Sequence, residues 1–236
     1  MQWAPARAPD VADRPARRGR GARRLQPAGP AARRGLLWRG VSLAPALSPR
    51  LDRLRRHLGH RGATAREDDP GLIWAAVAVV LVPAPDAVLL IRRAERAGDP
   101  WSGHMALPGG RWAPEDPDLM TTAVREAGEE VGLRLPPPAL LGSLDDVVPR
   151  TPVLPPIAIR PYVFALPERL PLVLNPEVAT ARWVLLDRLL HPGTYHSVRL
   201  QVGGEAREVP AYELDDGVVW GLTERILTPL LQRLGA

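Results

Sequence analysis

The sequence predicts an α+β sandwich, and three observations lead there. An apolar run fills residues 72–82, a succession of short strand-like segments follows it, and two helical patterns stand out at 118–131 and 222–234. Strands that outnumber helices, with each helix apolar along one stripe, bury most surface as a sheet with helices laid on it.

Each element has its own signal. In "SPRLDRLRRHLGH", residues 48–60, Leu51, Leu54 and Leu58 recur three and four apart. A short helix is expected there, with Ser48 as N-cap and Pro49 at the first position. "GATAREDDPG" reads as a linker, and the core domain is expected to run over 71–236. The unbroken run Leu72–Val82 is too short to cross a bilayer as a helix and stops at Pro83 and Pro85, so it reads as a buried strand. Further strands are expected at 87–92, 105–107, 139–147, 156–165 and 179–185, with a polar pair near 196–202 and 207–212. The last helix, "LTERILTPLLQRL", takes Thr223 as its cap, and Pro229 inside it should kink or split it.

Composition sets limits. The chain has 236 residues, enough for one sizeable core with an appendage, and no cysteine, which excludes disulfides and thiolate zinc sites. The net charge of +5 is unevenly spread. Residues 1–70 hold 16 Arg against 6 acids, whereas 71–236 hold 15 Arg against 20 acids. The basic excess therefore belongs to the N-terminal segment. Residues 1–35 have no apolar periodicity and read as a disordered basic tail, with 36–70 as an extension carrying the short helix and linker. No aromatic residues interleave the tail's arginines, so a specific nucleic-acid interface is not expected. No secretory signal is recognisable in residues 1–30, and a cytoplasmic location is expected.

The chemistry concentrates in "GGRWAPEDPDLMTTAVREAGEEVGL", residues 109–133. On a helix Glu126, Glu129 and Glu130 share one face, where like charges cost a few tenths of a kcal/mol per pair. Hard divalent cations seek such oxygens and commonly sit between carboxylates and substrate phosphates. Arg125 is placed to pair with a loop carboxylate, for which Glu115, Asp116 and Asp118 are the candidates. Gly109 and Gly110 allow close backbone approach to a metal or phosphate, and Gly132 suits a left-handed helix end.

This stretch resembles the Nudix box, G-x5-E-x7-R-E-U-x-E-E-x-G-U, where U is a bulky aliphatic residue. Arg125, Glu126, Glu129, Glu130, Gly132 and Leu133 match its second half; the run from Gly110 to Arg125 is one residue longer than the pattern and brings Asp116 to the loop position. The resemblance implies a Nudix-type α/β/α sandwich with a mixed central sheet. It also implies hydrolysis of a nucleoside diphosphate linked to another moiety, with Mg2+ or Mn2+ held by Glu126, Glu129 and Glu130, and with Glu177 as a candidate extra base. Upstream, "VLLIRRAERAGDPWSGHMALPGGR" is similar to the signature of the coenzyme A diphosphatase subgroup through Leu89, Leu90, Arg93, Gly103, Pro108, Gly109 and Gly110. Coenzyme A or its thioesters are thus the expected substrates, with Arg93, Gly109 and Gly110 in substrate binding. ADP-ribose, NADH and nucleoside triphosphates are the alternatives, and a catalytically silent binding protein is the reading from another class. A small-molecule pyrophosphate is the expected partner, and a homodimer is compatible with the sequence.

Overall fold

The structure is a computed structural model and describes residues 47–58, 71–98, 101–149, 156–202 and 204–235. The tail expected at 1–35 and most of the expected linker fall outside these residues.

Strand β1 (Ile73–Val82) organises the fold. It pairs antiparallel with β2 (Ala87–Arg93) and β4 (Gly109–Arg111), and parallel with β6 (Ile157–Ala165) from Ile73 opposite Ile157 to Leu81 opposite Ala165. Strand β2 also pairs with β3 (Met105–Ala106) and β7 (Val178–Leu185), while β5 (Leu140–Ser143) closes the far edge on β6. The seven strands form one mixed sheet. A second sheet of three strands has the order β10 (Gly217–Trp220), β9 (Glu205–Leu214), β8 (Tyr195–Val202).

The sheet is covered on both faces, which explains why β1 is apolar without alternation. On one side Ala75, Val79 and Leu81 join Leu51, Leu54 and Leu58 of α1 (Pro49–Leu58) and Ile226, Leu227 and Leu230 of the C-terminal helix (Gly221–Gly235) in one core cluster. On the other side Trp74, Ala76, Ala78 and Val80 meet Ala123, Ala127 and Val131 of α2 (Leu119–Val131). This is an α/β/α sandwich. A short α3 (Leu186–Leu190) adds Leu186 and Leu189 to the first cluster, and the C-terminal helix is α4.

Helix α1 forms as its leucine spacing predicts, with the Ser48 Oγ accepting from the Leu51 N–H at 3.2 Å. Three expectations need correction. Helix α4 is one helix through Pro229 and not two shorter pieces, because Ile226, Leu227, Leu230, Leu231 and Leu234 are all buried. Burial of such side chains at about 1.5–3 kcal/mol each exceeds the roughly 3 kcal/mol that an internal proline costs. Thr223 is not its cap: the helix starts at Gly221, and the Thr223 hydroxyl donates to the Met105 carbonyl at 3.1 Å. The strand expected at 139–147 ends at Ser143, after which Val147 makes a single bridge to Ile159. Strands β4 and β10 were not anticipated, since three or four glycine-containing residues carry too little pattern to read.

Candidate active site

Helix α2 is set by its ends. The Asp118 Oδ1 accepts from the Thr121 N–H at 2.7 Å and caps the N-terminus. Gly132 closes the other end at φ 72, a conformation that costs glycine nothing. Between them Ala123, Ala127 and Val131 dock on the sheet, which turns Glu126 and Glu130 toward β4 and leaves Glu129 on the exposed side.

Arg125 ties the preceding loop to this helix. Its Nε donates to Asp116 Oδ1 and its Nη2 to Asp116 Oδ2, both at 3.0 Å, while Nη1 donates to Glu126 Oε1 and Glu129 Oε2, both at 2.9 Å. Asp116 is 5% exposed and also accepts from the Thr122 hydroxyl at 2.9 Å. Of the three loop carboxylates, Asp116 is therefore Arg125's partner; Asp118 is the helix cap and Glu115 is exposed. The Arg125 guanidinium holds the Asp116 carboxyl below its usual range, and in return Asp116 raises Arg125.

Glu130 is 2% exposed, and its Oε2 accepts from the Gly109 N–H at 2.9 Å. Burial pushes its carboxyl up to about 7, against the pull of that amide, with the Glu126 and Glu177 charges adding to the rise and Arg93 opposing it. Glu126 is also raised, chiefly by burial, with Glu129 and Glu177 contributing. Glu126 lies directly over Gly110, and a Cβ there would overlap its carboxylate, with Oε2 at 2.9 Å. Two desolvated carboxylates thus stand over a glycine strand.

The other sequence candidates fall around them. Arg93 ends β2, donates its N–H to the His104 carbonyl at 3.0 Å, and is close enough to Glu130 to stabilise its charge. Glu177 precedes β7, pairs with Arg96 at 3.0 Å, and is felt by both Glu126 and Glu130. Asn175 was not foreseen. Its N–H donates to the Glu130 carbonyl at 3.1 Å, a main-chain bond that leaves no trace in residue pattern.

A family model for the NUDIX domain matches residues 73–201. The chain belongs to the Nudix family. It is 32% identical over 161 residues to the "Uncharacterized Nudix hydrolase NudL" of Photorhabdus laumondii, which spans 68% of this chain and 84% of that protein. The protein of the same name from Yersinia pestis is 29% identical over 187 residues, 79% of this chain and 88% of its own. A solved MutT/nudix family protein from Enterococcus faecalis superposes over 79% of this chain and 68% of its own with a TM-score of 0.48 at 17% identity.

As a Nudix pyrophosphohydrolase, the protein acts on a nucleoside diphosphate linked to a further group, and such enzymes use divalent cations. The donors here suit that need, because they are oxygens, and burial raises the carboxyls of both Glu126 and Glu130. Among the described residues no three acidic or histidine side chains converge into a ready-made cluster. Arg125 engages Glu126 and Glu129, and the Gly109 amide engages Glu130. Nor is any helix among the described residues long and apolar enough to cross a membrane.

Proposed function

We propose that this Nudix enzyme hydrolyses the pyrophosphate bond of coenzyme A or its thioesters, releasing adenosine 3′,5′-bisphosphate and a 4′-phosphopantetheine. The observation that carries the reading is Arg93: this cation of the upstream block that resembles the coenzyme A diphosphatase signature lies within electrostatic reach of Glu130. A substrate bearing a 3′-phosphate besides its pyrophosphate needs such a basic grip. Departures from the signature, Ile91 for Thr and Leu107 for Phe, lie at buried positions and leave Arg93 and the glycines in place.

In this reading Glu126 and Glu130 would be the main ligands of Mg2+ or Mn2+, with Glu129 as a further one. A bound divalent cation neutralises phosphate charge and lowers the pKa of water. Arg125 holds the helix against the loop through Asp116. The Gly109 and Gly110 backbone lets the phosphates approach the carboxylates, Arg93 binds and orients the substrate, and Glu177 takes a proton from the attacking water. The catalytic domain is 71–236, preceded by the extension 36–70 whose helix packs into its core, and the enzyme works in the cytoplasm.

The test is a substrate panel with Mg2+ or Mn2+. Coenzyme A should yield the two products above. Turnover of ADP-ribose, NADH or nucleoside triphosphates with coenzyme A untouched would replace the substrate and keep the reaction class. Silence across the panel would make the protein a binding module.

A further inference from the structure

The segment ahead of β7 is stitched onto the catalytic helix. The Val173 N–H donates to the Val131 carbonyl at 3.0 Å and the Asn175 N–H to the Glu130 carbonyl at 3.1 Å. Gly132 makes room for this, since a Cβ there would stand 3.0 Å from the Val173 Cβ. Asn175 then turns the chain: its Oδ1 accepts from the Glu177 N–H at 2.9 Å, and its carbonyl accepts from the Val178 N–H at 3.2 Å. Between them Pro176 has a fixed φ and keeps Asn175 out of the helical region. On the other side the Glu177 carbonyl accepts from the Ala94 N–H at 2.8 Å. The Glu177 backbone is thus gripped from two sides, by Asn175 and by Ala94, and its carboxylate meets Arg96 Nη2 at 3.0 Å beside the site.

Asn175 is the joint in this arrangement. Its main chain holds Glu130 and its side chain holds Glu177, so one residue relates two carboxylates that come from distant parts of the sequence. We propose that Asn175 is a positioning residue for the hydrolysis: its side-chain carbonyl, anchored on the Glu130 main chain, sets where Glu177 presents its carboxylate. The proposal rests on the metal-dependent reading above, in which Glu177 works with Glu126 and Glu130.

Misplacing a reacting group by about 1 Å costs roughly 100-fold. Asn175→Ala should therefore lower kcat by about 10- to 100-fold, with KM changed by less than about threefold, because substrate contacts remain. Asn175→Asp keeps the acceptor oxygen and should hold kcat within about threefold, whereas Asn175→Gln, which carries the amide one methylene farther out, should behave like alanine. The decisive arm is a double-mutant cycle. In a Glu177→Gln background, Asn175→Ala should remove less than about twofold more activity, because its effect runs through Glu177. Multiplicative losses in that background, or equal losses for alanine and aspartate, would overturn the proposal. If the alanine variant does not fold, glutamine against aspartate decides; if Glu177→Gln turnover falls below detection, the single-variant series decides. Absence of any metal-dependent turnover in the wild-type enzyme would instead sink the functional reading itself.

Discussion

Arg125 grips Asp116 with two edges of its guanidinium, Nε on Oδ1 and Nη2 on Oδ2, each at 3.0 Å, across nine residues of chain. The bond fixes the loop against the helix, so that the helix carboxylates and the β4 glycines keep one distance. Asp116→Asn should lower unfolding stability by about 1–3 kcal/mol in urea denaturation, because a buried charge-assisted pair loses its charge. Arg125→Lys should lower kcat by about tenfold or more in steady-state assay, since an ammonium cannot span Asp116, Glu126 and Glu129 together.

Glu130 gives the metal-free protein a pH dependence of defined sign. Its folded value of about 7 lies above the ordinary 4.5, so between those values the folded chain keeps a proton that the unfolded chain releases. Stability should therefore fall as pH rises from about 4.5 to about 7 and level off above, by an amount on the order of 2–3 kcal/mol. Urea midpoints in chelator should show this slope, and Glu130→Gln should abolish it. Added Mn2+ should restore stability at neutral pH to the wild type and not to the variant, whose kcat should fall by about 100-fold or more.

Gly110→Ala places a methyl group on the Glu126 carboxylate. The side chain must swing aside, and kcat should drop by about 100-fold while thermal stability changes little. A variant with wild-type turnover would remove Glu126 from its assigned place.

Helix α1 lies outside the matched residues 73–201 yet buries Leu54 completely. Leu54→Ala should cost about 2–5 kcal/mol on denaturation, the range for an emptied core site, and leave kcat of the folded fraction unchanged.

Helix α2 was legible because its logic is local: carboxylates three and four apart, a left-handed glycine at the end, and an apolar stripe between. Strand β1 was equally plain, being buried on both faces. What escaped has a nonlocal cause. Pro229 looks like a breaker until the leucines around it are seen to fill a core, and Thr223 looks like a cap until Met105 is found beside it. The choice among Glu115, Asp116 and Asp118 needed burial, which spacing does not supply. Asn175 joins Glu130 through a main-chain bond, to which no side-chain pattern points.

The parallel pairing of β1 with β6 joins Ile73 to Ile157, so the centre of the sheet closes only after roughly eighty intervening residues are in hand. Every acidic ligand candidate on α2 lies within that span. A nascent chain still on the ribosome and shorter than this can pair β1 with β2 and β4 alone, and it leaves the β6 edge of its apolar strand in the open. Synthesis of β6 is thus the moment at which the chain gains its shelter from aggregation, and products stalled or terminated before it should be insoluble.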